Sequence, residues 1–390
     1  MAIILRDYQK AASDKAVAFF KNKSKKSNGV MVLPTGAGKS IVIADIAHRL
    51  NDYVLIFCPS REIVEQNYLK LCSYGILDCS VYSASFGRKD ISRITFATIG
   101  SVKNHPELFQ HFRNIIIDEC HLVNPKEGMY KDFLTMLQCK VLGLTATPYR
   151  LSSSRDFGSM LKFITRTRPC VFSEVIYQVQ ISTLLDMGYL SKLNYYAMNP
   201  LGWNELNLKV NTTGADYTDK SVAKEYERID FYGFLVSIVR RLMNPKVGGK
   251  RKGILVFTRF LKEAQRLTQS IPGTAIVSGD TPKKERERIL EEFKAGEIPV
   301  VANVGVLTTG FDYPELDTIV MARPTMSLAL WYQIVGRAIR PHPTKEAGWI
   351  VDLCGNIKRF GEVKDLRLVN GGNGKWAVFS NNRQLTNVRF

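Results

Sequence analysis

The chain has 390 residues and carries 54 Lys and Arg against 36 Asp and Glu, for a formal net charge of +18. Its composition, with 45% hydrophobic and 23% charged residues, is that of a globular protein with a sizeable core, and its length predicts two or three domains. No run approaches the ~18 consecutive apolar residues of a membrane span, and the opening MAIILRDYQK lacks the pattern of a signal peptide. We therefore expect neither a membrane protein nor a secreted one.

The distribution of charge and the cysteines indicate which partners and which compartment suit the protein. Residues 1–165 contain 22 Lys and Arg against 14 Asp and Glu, so the basic excess does not come from a single tail. Such an excess of basic residues fits a polyanionic partner, but net charge can also serve only to keep a protein soluble. The seven cysteines include no CxxC pair and several lie within apolar runs, which predicts reduced, cytosolic thiols with neither a disulfide framework nor a zinc site.

Short apolar runs alternate with amphipathic segments along the chain. Continuous apolar or β-branched runs of this length are typical of strands in a parallel sheet with helices on both faces. The predicted strands are 29–34, 53–59, 94–99, 114–119 and 141–147, followed by 253–258, 274–279, 299–304, 317–323 and 348–353. The predicted helices include 40–50, 61–71, 262–271 and 283–293. This order predicts an α/β fold in two similar blocks.

We divide the chain into three parts on this pattern. The first domain is 1–165 and the second is 166–360, followed by a short tail at 361–390. The polar, turn-rich stretch at about 199–220 is predicted to be a loop or insertion in the second domain, and 370–390 a short hairpin.

The strongest local signal is PTGAGKS at Pro34–Ser40, directly after a predicted strand and before a predicted helix. Glycines allow backbone N–H groups to curl around phosphates, Lys39 can reach the β- and γ-phosphate oxygens, and the Ser40 hydroxyl can ligate Mg²⁺. Leu33 stands where the full GxxxxGK[ST] pattern has glycine, so the match is to its second half. The alternative is a glycine turn that only caps a helix.

An apolar strand that ends in Asp118 and Glu119 follows about 80 residues later. Asp118 can hold the Mg²⁺ that Ser40 also ligates, and Glu119 can polarise an attacking water. An Asp-Glu pair after a strand is more often a turn with a helix cap, but the phosphate loop favours the functional interpretation. His121 is either structural or a link between the nucleotide site and the neighbouring block.

The second block contains QIVGRAIR at 333–340, which we predict to lie on a helix. Arg337 and Arg340 are three residues apart, so both would project from one helix face. Two guanidiniums on one face fit an ATP γ-phosphate approached from a second domain, the arginine-finger arrangement. A solvated basic face is the alternative.

Six motifs together resemble a known family. LRDYQ (5–9), PTGAGKS (34–40), DECH (118–121), TATP (145–148), TTGFD (308–312) and QIVGRAIR (333–340) occur in the order of superfamily 2 helicases and translocases. The sequence looks most like the RadD-like DNA-repair helicases, with UvsW-like proteins of phages and type I and III restriction motors as cousins. The RadD-like group carries a zinc-binding, cysteine-rich C-terminal region that this chain lacks, so we expect a truncated or compact core without zinc.

The resemblance implies two tandem RecA-like domains with an ATP cleft between them, and ATP and Mg²⁺ as cofactors. It implies an ATP-dependent DNA helicase or translocase in repair, recombination or replication-fork processing. The expected partner is DNA, single-stranded or branched, together with a single-strand-binding or recombination protein. The expected location is the cytoplasm of a bacterium, at the nucleoid, with the gene carried by the bacterium or a phage.

The resemblance also assigns residues, with Gln9 reading adenine unless it merely caps the first helix. Nucleotide contacts are assigned to Arg6, Gln9, Thr35, Gly36, Ala37, Gly38, Lys39, Ser40, Gly310 and Asp312. Catalysis is assigned to Lys39, Glu119, Arg337 and Arg340, and coupling of hydrolysis to movement to His121, Thr145, Thr147 and Gln333. Nucleic-acid phosphates are assigned to Ser60, Arg61, Thr98, Ser101, Thr258, Arg259 and Thr308.

Three alternatives remain open from the sequence. The protein could be a nucleotide-gated DNA-binding remodeller that does not unwind, an RNA helicase, or a restriction-system motor. No nuclease or methylase signature is present for the last of these.

Overall fold

Two sheets of mainly parallel strands form the framework, and their central strands are fully buried because each is a run of β-branched and aliphatic residues. The computed structural model describes residues 3–24, 26–154, 158–198, 208–212, 214–245, 251, 253–308 and 311–386. The prediction of an α/β fold with helices flanking parallel sheets is confirmed.

In the described residues, the first lobe has five α-helices and ten strands. The helices are α1 (Asp7–Lys21), α2 (Lys39–Leu50), α3 (Arg61–Ser73), α4 (Ile99–Val102) and α5 (Met129–Thr135). The strands are β1 (Gly29–Val32), β2 (Val54–Phe57), β3 (Cys79–Ser83), β4 (Arg88–Lys89), β5 (Ile94–Ala97), β6 (Asn114–Asp118), β7 (Lys140–Thr145), β8 (Tyr149–Ser154), β9 (Gly158–Phe163) and β10 (Glu174–Gln178). Eight of them form one sheet in the order β10–β1–β7–β6–β2–β5–β3–β4, in which only β4 is antiparallel to its neighbour. β8 and β9 form a separate antiparallel hairpin directly after β7.

The second lobe is a six-stranded parallel sheet reached through α6 (Ile181–Asp186). Its strands are β11 (Lys192–Ala197), β12 (Ile254–Thr258), β13 (Thr274–Val277), β14 (Val300–Val304), β15 (Thr318–Ala322) and β16 (Ala347–Asp352). Its helices are α7 (Asp219–Arg228), α8 (Phe231–Met243), α9 (Leu261–Ser270), α10 (Lys283–Ala295), α11 (Leu328–Val335) and α12 (Asn356–Phe360). The strand order is β11–β16–β15–β12–β14–β13.

Sheet membership favours a division between the lobes later than residue 165. β10 lies in the predicted second domain, but it pairs with β1 at the edge of the first sheet, whereas β11 pairs with β16 at the edge of the second. We therefore propose the boundary between β10 and β11. The strand escaped prediction because EVIYQ has only three apolar or aromatic residues between two polar ends, a shorter run than those of the central strands.

Part of the predicted insertion at 199–220 has regular structure. Val210 and Tyr217 form an isolated antiparallel bridge, and α7 begins at Asp219, so the expectation of a loop through residue 220 is wrong at its end. Residues 199–207 of the same stretch lie outside the described residues, as does Gly310.

The tail forms three strands: β17 (Leu366–Asn370), β18 (Trp376–Ser380) and β19 (Arg383–Gln384). β18 and β19 form the short hairpin predicted within 370–390, and β17 adds a third antiparallel strand. Trp376 stacks on Phe163 of β9, with ring centroids 5.9 Å apart. The Gln180 side chain, which precedes α6, exchanges two hydrogen bonds of 2.8 and 3.0 Å with the Leu368 backbone. Towards the second lobe, the Tyr195 hydroxyl accepts from the backbone N–H at 363. The tail therefore packs on both lobes.

Two further properties concern the whole described chain. Within the described ranges, no helix has the length and apolar character needed to cross a bilayer. All seven cysteines are free thiols, and the sulfur atoms of Cys72 and Cys79 lie 3.7 Å apart without a bond between them.

We predict that Trp376→Ala lowers the free energy of unfolding by about 3 kcal/mol, because it removes a ring that is 8% exposed and stacked on Phe163. Urea denaturation followed by circular dichroism measures the change. Phe379→Ala, on the same strand but only half-buried, is the matched control and should cost less than half as much. Equal losses in the two variants would show that the tail is not anchored through Trp376.

Candidate nucleotide-binding cleft

The phosphate loop connects β1 to α2 and depends on two glycines in left-handed conformations. Gly36 has φ +83° and Gly38 has φ +78°, values that residues with a Cβ rarely adopt. A Cβ at Gly38 would also lie 2.6 Å from Nε2 of Gln9. Because α2 begins at Lys39, the N–H groups of Lys39 and Ser40 belong to the first helical turn and have no partner within the helix. The loop is thus built to receive an anion.

Two carboxylates stand at the end of β6, in the centre of the same sheet. Asp118 is the last residue of the strand, and Glu119 follows it with φ +49° and ψ +46°. A non-glycine residue in this conformation costs about 1–3 kcal/mol, a strain typical of functional sites. The turn brings Oε1 of Glu119 to 3.1 Å from Nζ of Lys39. Lys39 and Glu119 therefore form an ion pair within the cleft.

Burial and electrostatics shift the pKa values of the two carboxyls in opposite directions. Burial and the neighbouring Glu119 carboxylate raise the pKa of Asp118 to about 6, so a cation bound beside it would stabilise its ionised form. Burial also opposes ionisation of Glu119, but the Lys39 ammonium and the contact with His121 outweigh it and hold the pKa of Glu119 below its ordinary value. Glu119 is accordingly the ionised partner.

The second lobe contributes two arginines, although not from a helix. α11 ends at Val335, and the following hydrogen bonds run from residue i to i−3, as in the 3.0 Å bond from the Arg337 N–H to the Ile334 carbonyl. The expectation that Arg337 and Arg340 share one helix face is therefore wrong. The turn still directs both guanidiniums to the same place, since each donates to the Phe311 carbonyl, at 2.8 and 3.4 Å.

Arg337 is a buried cation whose hydrogen bonds go to uncharged groups. It is 7% exposed and donates to the carbonyls of Phe311 and Thr308, while its Nε has no partner. Burial and the neighbouring Arg340 lower the pKa of Arg337 to about 10, so it stays charged at neutral pH. Arg340 is paired with Asp312. An anion in the cleft would supply the counter-charge that Arg337 lacks.

The two lobes enclose a cleft of about 390 Å³. Its lining includes Thr35, Gly36, Gly38, Lys39, Ser40, Asp118, Glu119, Asp312, Gln333, Arg337 and Arg340, all of them predicted site residues. In the described part of the chain, no group of three or more His, Cys, Asp or Glu side chains is placed to hold a metal ion alone. A serine hydroxyl and one carboxylate, completed by phosphate oxygens, is a donor set that fits Mg²⁺. The residues present therefore fit Mg²⁺ bound to a nucleotide.

The four predicted coupling residues lie together across the interface. Nδ1 of His121 is 2.9 Å from the Thr145 hydroxyl, 3.2 Å from the Thr147 hydroxyl and 3.3 Å from Oε2 of Glu119. Its Nε2 is 3.2 Å from the side-chain nitrogen of Gln333, on the second lobe. An amide nitrogen only donates, so this contact suits the tautomer in which Nε2 accepts and the proton is on Nδ1. One imidazole thus connects Glu119 with the second lobe.

Gln9 contacts the phosphate loop, but neither Gln9 nor Arg6 is among the residues that line the cleft. The Gln9 amide accepts from the Arg6 N–H at 2.9 Å, the capping arrangement considered above, and donates to the Ala37 carbonyl at 2.9 Å. The Tyr8 hydroxyl donates to the same carbonyl at 2.8 Å. Arg6 lies over the ring of Tyr189 at 4.3 Å. Adenine recognition by Gln9 stays a prediction, and it would require the amide to exchange partners.

The nucleic-acid residues predicted for the first lobe gather around the turn after β3. Arg61 donates to the Ser85 carbonyl, and Ser101 accepts from the Ala84 N–H at 3.0 Å. Thr98 and Ser101 bond to each other at 2.9 Å. Ser60 caps α3 by accepting from the Ile63 N–H, which is the ordinary role of a serine at this position.

In the second lobe, the predicted contacts are engaged within the protein. Arg259 donates to Asp219 at 2.8 Å, to Asp216 at 3.3 Å and to the Tyr217 and Pro324 carbonyls. Its guanidinium fastens the segment before α7 to the sheet, so a phosphate would have to displace these partners. The Thr258 hydroxyl donates to the Asn303 carbonyl at 3.3 Å. Thr308 provides the carbonyl that Arg337 contacts.

Sequence reasoning missed two features of the cleft. Ile63, Gln66 and Asn67 on α3 line it, and a hydrogen bond with Asn67 lowers the pKa of Asp118 against the effect of burial. Their i, i+3, i+4 spacing was the available signal. Lys345 is buried and donates to the carbonyls at 314, 316 and 338, so it fastens the arginine turn to the preceding loop. Nothing in PHPTKEAG indicates this role.

Comparisons with known proteins agree with this geometry. Residues 2–150 match the family described as type III restriction enzyme, res subunit, and 236–342 match the helicase conserved C-terminal domain. The chain is 24% identical over 322 residues to a 51.5 kDa protein of a Lactococcus phage, covering 80% of this chain and 63% of that protein. It is 24% identical to the putative ATP-dependent helicase IRC3 of Saccharomyces cerevisiae, covering 91% of this chain and 52% of IRC3.

A further relative is the DNA 3'-5' translocase XPB2 of Sulfurisphaera tokodaii, which is 26% identical over 87% of this chain and 79% of its own length. Among solved structures, the type ISP restriction–modification enzyme LlaBIII bound to DNA superposes with a TM-score of 0.66 at 18% identity. The match covers 90% of this chain and 28% of that enzyme, and it establishes the fold alone. The chain spans only about half to two thirds of the length of the first two relatives.

The fold is that of two tandem RecA-like domains, as the sequence predicts. The chain belongs to superfamily 2 of the helicases. A closer relationship to the RadD-like group stays a prediction.

We predict that Gly336→Ala reduces the ATPase rate at least about tenfold, because a Cβ there would lie 2.6 Å from Cγ2 and 2.8 Å from Cβ of Thr35 and would hold the lobes apart. Steady-state kinetics over a range of ATP concentrations measures the effect. Gly279→Ala, whose Cβ would meet no atom within 4 Å, is the matched control and should leave the rate unchanged. An unchanged rate in Gly336→Ala would mean that this approach of the lobes is not used in turnover.

Proposed function

We propose that this protein is an ATP-driven motor that moves along or remodels DNA. The observation that carries the proposal is a single cleft in which the phosphate loop and two carboxylates of one lobe face two arginines of the other. Because its charged groups are divided between two lobes, the site is complete only when the lobes approach each other. Nucleotide binding and release can therefore drive motion of the lobes.

The choice of DNA rests on the relatives. Two of them are named as an ATP-dependent helicase and a DNA translocase, and the chain matches both over most of its length. We extend the proposal to repair, recombination or replication-fork processing, as the motifs suggest. Most of the relatives are longer than this chain, so the activities in their names are proposals for it.

The charged side chains of the cleft would bind the phosphates and the metal ion from both lobes. Lys39 and the N–H groups of the phosphate loop bind the β- and γ-phosphates, and Ser40 and Asp118 would hold Mg²⁺, which neutralises phosphate charge when bound. Arg337 and Arg340 bind the γ-phosphate from the second lobe. Anion binding requires Lys39 to leave Glu119, and Arg340 to leave Asp312.

Glu119 is the proposed general base. Once Lys39 is engaged by phosphate, the cation that lowers the pKa of Glu119 is drawn away, and the carboxylate becomes a better acceptor for the proton of the attacking water. His121 lies with Nδ1 3.3 Å from Oε2 of Glu119 and contacts Gln333 through Nε2, so a change at the base can be passed to the second lobe. Thr145 and Thr147 hold the same imidazole from β7 and the turn after it.

We predict that Glu119→Gln lowers ATP turnover by about 10²–10⁴-fold while nucleotide affinity is retained or increased, because the amide cannot accept the proton and no longer holds Lys39 as an ion pair. Lys39→Ala should weaken nucleotide binding, since it removes the phosphate ligand and leaves Glu119 buried without its cation. Titration with a fluorescent nucleotide and a coupled ATPase assay measure the two effects.

The control for these variants is Lys70→Ala, which removes an exposed lysine on α3 outside the cleft lining. It should bind and hydrolyse ATP as the wild type does. Full nucleic-acid-stimulated turnover in Glu119→Gln would contradict the assignment of the base.

We predict that single-stranded or forked DNA stimulates the ATPase at least about tenfold and that the stimulation declines as salt rises, because the contacts are to phosphate. The assay compares single-stranded, duplex and forked DNA with RNA at several salt concentrations. Strand displacement and the removal of a bound protein from DNA are measured in parallel.

The outcomes separate the proposal from its alternatives. Equal ATPase rates with and without nucleic acid would contradict a motor of any kind. Stimulation by RNA in place of DNA would identify an RNA helicase. ATP-dependent removal of a bound protein without strand displacement would identify a remodeller that does not unwind.

A further inference from the structure

A groove separate from the nucleotide cleft is formed where the tail meets both lobes. It has a volume of about 290 Å³, close to the lower limit of cavities that bind small organic groups. Leu151 and Leu161 of the β8–β9 hairpin, Met326, Phe360 and Leu385 provide apolar surface. Arg359 and Arg383 provide the charge. We call this site the tail groove.

The tail groove lies beyond the carboxyl ends of the strands of the two sheets. The hairpin follows β7, Met326 follows β15, and Phe360 closes the short helix after β16. Carboxyl ends of parallel strands are where α/β proteins bind their ligands. The groove also adjoins a predicted nucleic-acid contact, because Asp216 accepts from both Arg259 and the Met326 N–H.

The charge of the groove is unbalanced. Residues 355–386 contain six Lys and Arg against two Asp and Glu, and Glu362 already pairs with Lys364. Arg383 donates to the Arg359 carbonyl, and the Arg359 guanidinium lies 5.2 Å from the centre of the Tyr217 ring. Among the residues that the structure describes, neither guanidinium has a carboxylate partner, and both side chains are exposed.

We propose that the tail groove binds one nucleotide of an unpaired nucleic-acid strand, with the base against the apolar floor and the phosphate on Arg359 and Arg383. The inference rests on the proposed function and extends the nucleic-acid path onto the tail. An apolar floor with arginine at its rim fits an exposed base and its phosphate. A duplex offers phosphates but keeps its bases stacked, so it would leave the floor unused.

The test compares Arg359→Gln/Arg383→Gln with the wild type in direct binding of a fluorescein-labelled oligothymidylate, measured by anisotropy without ATP. Glutamine retains a donor for the backbone contact, so the tail is expected to remain folded, which thermal unfolding checks. We expect binding about tenfold weaker at moderate salt, with the slope of log affinity against log salt reduced by about 0.7 for the one phosphate that the two arginines share. The unstimulated ATPase rate should not change.

The matched control is Lys70→Gln/Arg113→Gln. It removes two positive charges near the amino ends of the strands, away from the carboxyl ends where the tail groove lies. Lys70 lies in the last turn of α3, and Arg113 directly precedes β6. Both side chains are exposed. The control should keep the wild-type salt slope. Equal slopes for the two double variants would overturn the proposal, and so would a loss confined to duplex binding.

A second measurement uses the wild-type protein and does not depend on the variants. An oligonucleotide with 5-iodouracil is cross-linked by light, and the attached peptide is identified by mass spectrometry. Cross-links to the β8–β9 hairpin or to residues 358–386 support the proposal, and their absence while other peptides are labelled contradicts it. Failure of the proposed function would appear differently, as oligonucleotide binding without any stimulation of the ATPase.

Discussion

The need to balance charge inside a buried cleft governs the arrangement of this protein. Three cations and three carboxylates line the space between the lobes, and all but the exposed Asp312 lie where an unpaired charge is costly. Lys39 pairs with Glu119, and Arg340 pairs with Asp312. Arg337 has only carbonyl partners, and Asp118 has a raised pKa. The two groups left without a counter-charge are those proposed for the γ-phosphate and for Mg²⁺.

This arrangement explains why nucleotide and closure depend on each other under the proposed function. A bound phosphate draws Lys39 and Arg340 away from their carboxylates, and the freed Glu119 is the group that the reaction requires as a base. The contact between Gly336 and Thr35 allows this exchange only because neither lobe places a bulky side chain there. Electrostatics therefore select the ligand, while the glycine sets how closely the lobes approach.

Much of the framework could be predicted, because the central strands are continuous apolar runs. All ten predicted strands are present, and the phosphate loop and the carboxylate pair stand at strand ends as expected. The edge strands β10 and β11 were missed because neither is a buried, continuous apolar run: β10 is only partly buried along its length, and β11 is mostly exposed. The position of Arg337 and Arg340 was misjudged, since a helical spacing does not reveal that α11 stops at Val335. The partners of Arg259 and Lys345 depend on distant segments that no local pattern indicates.

The contact of the tail with both lobes limits how the cleft can open. Val32 and Pro34 of the first lobe, Tyr332 of the second, and Leu366 and Val378 of the tail surround a small apolar cavity of about 30 Å³. Separating these surfaces would expose apolar area to water, whereas the charged walls of the nucleotide cleft are readily hydrated. Opening on the polar side is therefore less costly than opening at the tail. The lobes should rotate about the tail contact. A small rotation at this contact would then move Arg337 and Arg340 further than it moves the residues of the tail.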